Sequence, residues 1–196
     1  MKKTFLFDLD GTVLPMDFDK FMELYFYNLS MYFKNDIDPK KMAKLVMSST
    51  EKMIKTNDGR TNEDIFMDDF EKLVGGDIKK YRKMFEDFYN STFDNVQQAT
   101  CKSLEMRKSI DLLKEKGYEV VLATNPLFPL VANYHRIRWA GFEPTEFKHI
   151  TSFEENKHCK PFIEFYEEVL DTINRKPEEC YMVGNDMLED LVAGKL

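Results

Sequence analysis

Two aspartates near the start of the chain have the type and spacing of an acidic pair that could act on one ligand. Asp8 and Asp10 flank Leu9 after a short apolar run, and Gly11 follows them. Residues two apart in an extended chain point the same way, so both carboxylates can face one ligand. Gly11 has no side chain, which lets the backbone approach a phosphate closely.

A calcium-binding loop is the alternative interpretation of these acids. An EF-hand loop needs glycine at its sixth position and glutamate at its twelfth, and it follows a helix. Counted from Asp8, Gly11 is the fourth residue and Asp19 is the twelfth, and the preceding run is strand-like. The spacing therefore excludes the EF-hand.

A strand must position this acidic pair. Residues 4–8 form a short apolar and aromatic run that breaks at Gly11, a pattern typical of a buried strand rather than a helix. In open α/β sheets, ligands bind outside the carboxyl ends of the strands. Asp8 and Asp10 are thus expected at a ligand-binding edge.

The next part of the chain is predicted to be all-helical. Four amphipathic segments lie between Asp17 and Asn90, without a strand-like run. Thr61 and Asp64 are expected to cap the third helix reciprocally, and Asp77 is expected to cap the fourth. We expect a helical domain over residues 16–94.

The rest of the chain alternates between helix and strand. This alternation predicts a parallel α/β sheet, and the core is expected to comprise residues 1–15 and 95–196. The predicted elements are a helix over 103–116, a strand over 118–123, a helix over about 128–140, a weaker strand over 147–151, a helix begun by Pro161 and a strand over 180–184.

Composition favours a soluble protein with a small partner. The chain has 196 residues, is 43% hydrophobic and carries a formal net charge of −7, which disfavours nucleic acid and anionic membranes as partners. Its three cysteines lie far apart without a CxxC pair, which is typical of a reducing compartment. We expect a cytoplasmic protein, with no membrane segment, that is a monomer or a weak dimer.

Four motifs in order give the chain a family resemblance. They are FDLDGTVL with Asp8 and Asp10, Thr124 directly after the run YEVVLA, Lys160 in KPFIEFY, and VGNDMLED with Asp186 and Asp190. This set resembles the signatures of the haloacid dehalogenase (HAD) superfamily, in its phosphatase branch with a helical cap inserted after the first motif. The implied fold is a Rossmann-like parallel sheet core with that cap.

The resemblance also implies roles for the acidic pair and the lysine. Asp8 is expected to be the nucleophile that becomes an aspartyl phosphate, and Asp10 the general acid and then the general base. Lys160 and Thr124 complete the expected catalytic set. Asp190 is expected to orient Lys160 or a water rather than to bind metal directly.

Phosphate and metal ligands follow from the same resemblance. The expected phosphate-binding residues are Asp10, Gly11, Thr124, Asn125 and Lys160. Magnesium prefers oxygen ligands and keeps several waters, which suits Asp8, the backbone carbonyl of Asp10, and Asp186.

The predicted function is a magnesium-dependent phosphomonoester hydrolase that acts on a small phosphorylated metabolite. A sugar phosphomutase of the same superfamily and a non-catalytic HAD-like binding protein are the alternatives. The core is expected to be short at its C-terminal end, because Leu196 is only the sixth residue after Asp190.

Overall fold

A parallel three-stranded sheet organises the structure, a computed structural model that describes residues 3–196. Strand β1 (Thr4–Phe7) lies between β2 (Glu119–Leu122) and β3 (Cys180–Val183). Phe7, the last residue of β1, pairs in register with Leu122 and with Val183. The carboxyl ends of all three strands therefore meet at one edge. Met1 and Lys2, which belong to the predicted core range 1–15, lie outside the described residues.

The weaker strand predicted over residues 147–151 is wrong. The segment pairs with β2 through one isolated parallel bridge, between Ile150 and Leu122, and through a hydrogen bond from the Lys148 amide to the Val120 carbonyl, but it forms no strand of the sheet. The pairing stays short, because a short 3-10 helix (Pro144–Glu146) precedes the segment and the chain turns after Thr151, whose amide still donates to the Leu122 carbonyl. The Thr151 hydroxyl donates a hydrogen bond to the Thr124 carbonyl, with a 2.6 Å separation, at this turn.

Four helices follow β1, as the amphipathic pattern predicts. They are α1 (Phe18–Tyr32), α2 (Pro39–Lys55), α3 (Asn62–Val74) and α4 (Ile78–Tyr89), and we call them the helical insertion. A 3-10 helix (Thr92–Ala99) leads from the helical insertion back towards the sheet.

Helix starts in the insertion follow from local capping. The Asp77 side chain accepts a hydrogen bond from the Lys79 amide, and the Thr61 hydroxyl accepts one from the Asp64 amide. The reciprocal half of the predicted Thr61 cap is wrong, because the Asp64 carboxylate pairs with Arg82 of α4 instead. An ion pair between α3 and α4 has thus replaced the expected hydrogen bond within the cap.

Three helices belong to the α/β part of the chain: α5 (Leu104–Glu115), α6 (Leu130–Trp139) and α7 (Ile163–Ile173). The sequence pattern places the start of α7 at Pro161, but the helix begins two residues later, at Ile163. Residues 159–162 form a turn instead, in which the Phe162 amide donates to the Cys159 carbonyl.

Apolar side chains cover both faces of the sheet. Leu6 and Val121 pack against Phe165 and Val169 of α7. The opposite face joins a larger cluster that continues into the helical insertion, where Phe21 of α1 contacts Phe128, with ring centroids 6.3 Å apart. The predicted fold class, a Rossmann-like α/β core with an inserted helical segment, is confirmed, whereas the domain boundaries near residues 15 and 95 stay predictions.

None of the helices formed by residues 3–196 combines the length and the apolar character that crossing a membrane would require.

Candidate active site

Asp8, Lys160 and Asp190 form a buried ionic cluster at the carboxyl edge of the sheet. The Lys160 Nζ lies 2.9 Å from Asp8 Oδ1 and 2.6 Å from Asp190 Oδ1. All three side chains are buried. A buried charge requires partners, and here one ammonium group joins two carboxylates. The structure thus brings together three of the residues that the motifs predict.

The position of Asp8 follows from β1. Its amide donates to the Val183 carbonyl of β3, so the residue continues the central strand by one step. Burial raises the pKa of Asp8 to about 6, although the charge and hydrogen bond of Lys160 act to lower it. The side chain is therefore mainly a carboxylate at neutral pH, the form that can attack as a nucleophile.

Asp190 reaches Lys160 because the chain after β3 bends around a glycine. A Cβ atom on Gly184 would clash with the Asp190 carboxylate, so any side chain at this position would displace Asp190. The same Oδ2 atom accepts a hydrogen bond from the Asp186 amide. Both oxygens of Asp190 are thus engaged, one by Lys160 and one by the turn that carries Asp186.

Gly11 allows a close contact with Asn185, and its predicted approach to phosphate stays a prediction. Its φ of +83° lies in the left-handed region, and a Cβ atom there would meet the Asn185 amide nitrogen at 2.6 Å. The Thr12 hydroxyl also donates to Asn185 Oδ1. The glycine therefore allows the loop after β1 to pack against the loop after β3.

Thr124 and Asn125 follow β2 and line the same cleft as Asp8. Thr124 is buried at the strand end. The Asn125 side-chain amide donates to Glu189 Oε1 at 3.1 Å, and its oxygen accepts from the Lys160 amide at 3.2 Å. Asn125 thus fixes the loop that carries Lys160, with both of its polar atoms bonded to protein groups.

Asp10 contacts a residue that the motifs do not indicate. The Arg136 guanidinium of α6 donates to Asp10 Oδ2 and to Asn133, and it stacks over the Phe128 ring at 4.4 Å. Arg136 is 0% exposed. The sequence signal for it is a pair of polar residues, Asn133 and Arg136, on the face of α6 that is otherwise formed by apolar buried residues such as Ala132 and Ile137.

Asp186 lies at the start of the turn after β3 and lines the cleft with Asp8 and Asp10. Residues 3–196 contain no cluster of three or more histidine, cysteine or acidic side chains that could enclose a metal ion. Magnesium is held by one or two carboxylates together with substrate phosphate and water. The Asp8 carboxylate, the Asp10 carbonyl and the Asp186 carboxylate are oxygen donors of the type that such an open site uses, and Asp186 Oδ1 accepts hydrogen bonds from the Leu188 and Glu189 amides.

The fold and the site together define an α/β protein whose acids and lysine converge at the strand ends, where open sheets bind ligands. Residues 2–196 match the model of the haloacid dehalogenase-like hydrolases. The chain belongs to this family, which confirms the resemblance carried by the four motifs. The predicted class of enzyme, a HAD-type hydrolase, is confirmed with it.

Named relatives agree with this assignment. The pyrophosphatase PpaX of Anoxybacillus flavithermus is 25% identical, over 98% of this chain and 78% of the relative. A predicted phosphoglycolate phosphatase from Haemophilus somnus has a similar structure, with TM-score 0.61 and 17% identity, over 99% and 81% of the two chains. A HAD family enzyme from Bacteroides thetaiotaomicron, solved with magnesium and inorganic phosphate, has TM-score 0.57 and 18% identity, over 100% and 90%. At these identities the solved structures support the fold alone.

Proposed function

We propose that this protein is a magnesium-dependent phosphomonoester hydrolase that acts on a small phosphorylated molecule through an aspartyl phosphate on Asp8. The observation that carries the proposal is the buried contact of Lys160 with Asp8 at the end of the central strand. Family membership and the phosphatase relatives support it. Asp8 has the position and the charge of a nucleophile, and Lys160 has the position of its positive partner.

In the first step, a carboxylate oxygen of Asp8 attacks phosphorus and the bond from phosphorus to the ester oxygen breaks. Asp10 donates a proton to that oxygen, so the product leaves as an alcohol. Lys160 offsets charge on the phosphoryl oxygens, and the Thr124 hydroxyl donates a hydrogen bond to one of them.

In the second step, water attacks phosphorus and the bond from phosphorus to Asp8 breaks. Asp10, now a carboxylate, accepts the proton of the water. Inorganic phosphate leaves and Asp8 returns to its starting state. Asp190 keeps Lys160 directed at Asp8 in both steps through its 2.6 Å contact.

The oxygens of Asp8, Asp10 and Asp186 are the ligands that would hold magnesium. The ion, when bound, reduces the repulsion between the anionic nucleophile and the anionic phosphate. These residues supply hard oxygen donors without a closed protein cage, which leaves positions for a substrate oxygen and for water.

Residues 16–94 form the cap in this proposal, and residues 1–15 and 95–196 form the catalytic core. Support comes from the cleft, because side chains of α1, α2, α3 and α4 line it opposite Asp8. Closure of such a lid excludes water from the site. The reaction would then occur between the strand ends and the helical insertion.

Phosphate release tests the proposal. The purified protein is incubated with magnesium and a set of phosphate monoesters, and free phosphate is measured with and without a chelator. We expect magnesium-dependent release, lost in Asp8→Asn. In parallel, NMR monitors hexose phosphates for isomerisation.

Two results would overturn the proposal. Interconversion of hexose phosphate isomers without release of phosphate would identify a phosphomutase. Absence of release from every monoester, by a folded protein saturated with magnesium, would indicate a non-catalytic binding protein.

A further inference from the structure

The cleft above Asp8 is larger than most ligand pockets. Its volume is about 1850 Å³, and it is continuous from Asp8 to the helical insertion. Ligand pockets generally measure roughly 300–1000 Å³. The phosphoryl group fills only a small part of this space, so the remaining lining indicates the chemistry of the leaving group.

Apolar side chains dominate the side of the cleft formed by the helical insertion, which we call the apolar wall. Five side chains of α1 and α2 define it: Phe18, Met22, Phe26, Met47 and Ile54. Phe18 is 62% exposed and Met47 is 58% exposed, so this wall is open to a ligand rather than packed away. Methionine and phenylalanine bind apolar groups of varied shape, because methionine is flexible and aromatic rings offer large faces.

Half of the basic side chains in the cleft are paired with carboxylates that line the cleft as well. Six basic side chains line it, but three of them, Lys55, Arg82 and Lys83, form ion pairs with carboxylates. Those partners, Glu51, Glu63 and Glu86, line the cleft as well. A second phosphate group would meet these carboxylates as well as the cations. The paired part of the lining thus offers a compact polyanion such as pyrophosphate little net attraction, and the positive charge that is not paired in this way comes from Lys40, Lys44 and Lys79.

We propose that the substrates are phosphate monoesters of bulky apolar alcohols, alkyl or aryl, whose hydrophobic part packs on the apolar wall. This inference rests on the proposed function. The phosphoryl group lies at Asp8, the bond from phosphorus to the alcohol oxygen breaks, and the alcohol leaves with a proton from Asp10. Burial of the alcohol against the wall supplies affinity that a polar sugar cannot obtain there.

A homologous series of n-alkyl phosphates tests the inference. We would measure kcat/KM with magnesium for ethyl, butyl, hexyl and octyl phosphate, below the concentration at which octyl phosphate forms micelles. We expect kcat/KM to rise by up to about 4-fold per added methylene, the value for full burial of each group. Glucose 6-phosphate and pyrophosphate should be poorer substrates than octyl phosphate.

Two methionines on the helical insertion provide a matched pair of variants. Met47 of α2 lines the cleft, whereas Met31 of α1 does not and is 41% exposed. Met47→Glu should lower the ratio of kcat/KM for octyl over ethyl phosphate by roughly 10-fold, close to the loss of two buried methylene contacts. Met31→Glu should leave that ratio unchanged.

The outcomes separate this inference from the proposed function. A flat or falling alkyl series, with ethyl phosphate still hydrolysed, overturns the apolar substrate class and leaves the phosphatase intact. Preference for pyrophosphate or glucose 6-phosphate over octyl phosphate has the same meaning. Failure to hydrolyse any monoester overturns both.

Discussion

The cleft has two sides: the sheet side, formed at the strand ends, and the insertion side, formed by the helical insertion. They differ in how their side chains are held. On the sheet side, Lys160 bonds to Asp8 and Asp190, and all three are buried. On the insertion side, Phe18 and Met47 are half-exposed or more. Ionic groups inside a protein depend on geometry, whereas apolar contacts are non-directional. The sheet side should therefore tolerate almost no substitution, and the apolar wall should tolerate many.

The largest effect should come from removing the nucleophile. Asp8→Asn keeps the shape of the side chain but cannot form the aspartyl phosphate, so kcat should fall by more than about 10⁴-fold. Steady-state phosphate release measures this, and circular dichroism checks the fold. Hydrolysis near the wild-type rate by a folded variant would remove Asp8 from this role.

The next effect concerns Asp10 and depends on the leaving group. Asp10→Asn should slow phosphoenzyme formation from an alkyl phosphate by roughly 10²- to 10⁴-fold, because an alkoxide needs a proton to leave. p-Nitrophenol leaves as a stable anion, so its burst should be affected distinctly less. Because Asp10 also serves the second step, steady-state rates would fall for both substrates. Rapid quench of the first turnover measures phosphoenzyme formation alone and so compares the two leaving groups. Equal losses would show that Asp10 acts by positioning other groups.

Replacing Lys160 tests whether activity depends on the single positive charge that joins Asp8 and Asp190. Lys160→Met should lower kcat/KM by roughly 10²- to 10³-fold, the usual result of removing one group that stabilises developing charge. It should also lower stability, because Asp8 and Asp190 lose their buried partner. Lys157→Met, at an exposed position three residues earlier, is the control and should change neither property. A reversed pattern would assign the role to Lys157.

Magnesium titration tests the proposed role of Asp186, which follows β3, as a magnesium ligand. Chelation should abolish activity, and Asp186→Ala should raise the magnesium concentration for half-maximal rate by at least about 10-fold, since perturbing even an indirect ligand costs that much. Asp171→Ala, on α7 and outside the cleft, is the control. Superimposable titration curves for Asp186→Ala and wild type would place the metal elsewhere.

The smallest effect should appear on the insertion side. The hydroxyl groups of Tyr25 and Tyr89 form a buried hydrogen bond with a 2.8 Å separation, and both residues line the cleft. Tyr25→Phe leaves the Tyr89 hydroxyl without that partner, so the free energy of unfolding should fall by about 1 to 3 kcal/mol. Urea denaturation measures this, and kcat/KM for octyl phosphate should change little. Tyr27→Phe, at an exposed position of α1, serves as the control. A loss of activity as large as that of Lys160→Met would contradict the comparison between the two sides.

The sheet side was largely predictable from sequence because most of its residues follow a strand end in the chain, whereas Lys160, which lies in the turn before α7, was indicated by its motif. Asp8 follows β1, Thr124 lies two residues after β2, and Asp186 and Asp190 follow β3. Parallel pairing alone then brings them to one edge. The contact between Lys160 and Asp190 also agrees with the expectation from the motifs.

Contacts that depend on how helices pack were not predictable in the same way. The contact of Arg136 with Asp10 joins residues 126 positions apart and depends on the placement of α6. The motifs assigned Asn125 to phosphate, but they do not reveal that its amide bonds to Glu189 and the Lys160 loop. The apolar wall depends on the angles between α1 and α2, which local periodicity does not define. The strand predicted over 147–151 is wrong for a similar reason. The path of the chain on either side of a short apolar run decides whether that run extends the sheet.

The sheet topology also has a consequence for the order in which the chain can fold. Strand β1 is made first but lies in the centre, and its partners begin only at Glu119 and Cys180. At a synthesis rate of about 5 to 20 residues per second, roughly 6 to 23 s pass between β1 and the start of β2. The helical insertion needs no such delay, because α2 packs on α3 and α3 on α4, its neighbours in sequence. The helical insertion, to which we assign substrate selection in our proposal, can therefore fold first, while Asp8 remains at the end of an unpaired strand until the second half of the chain closes the sheet around it.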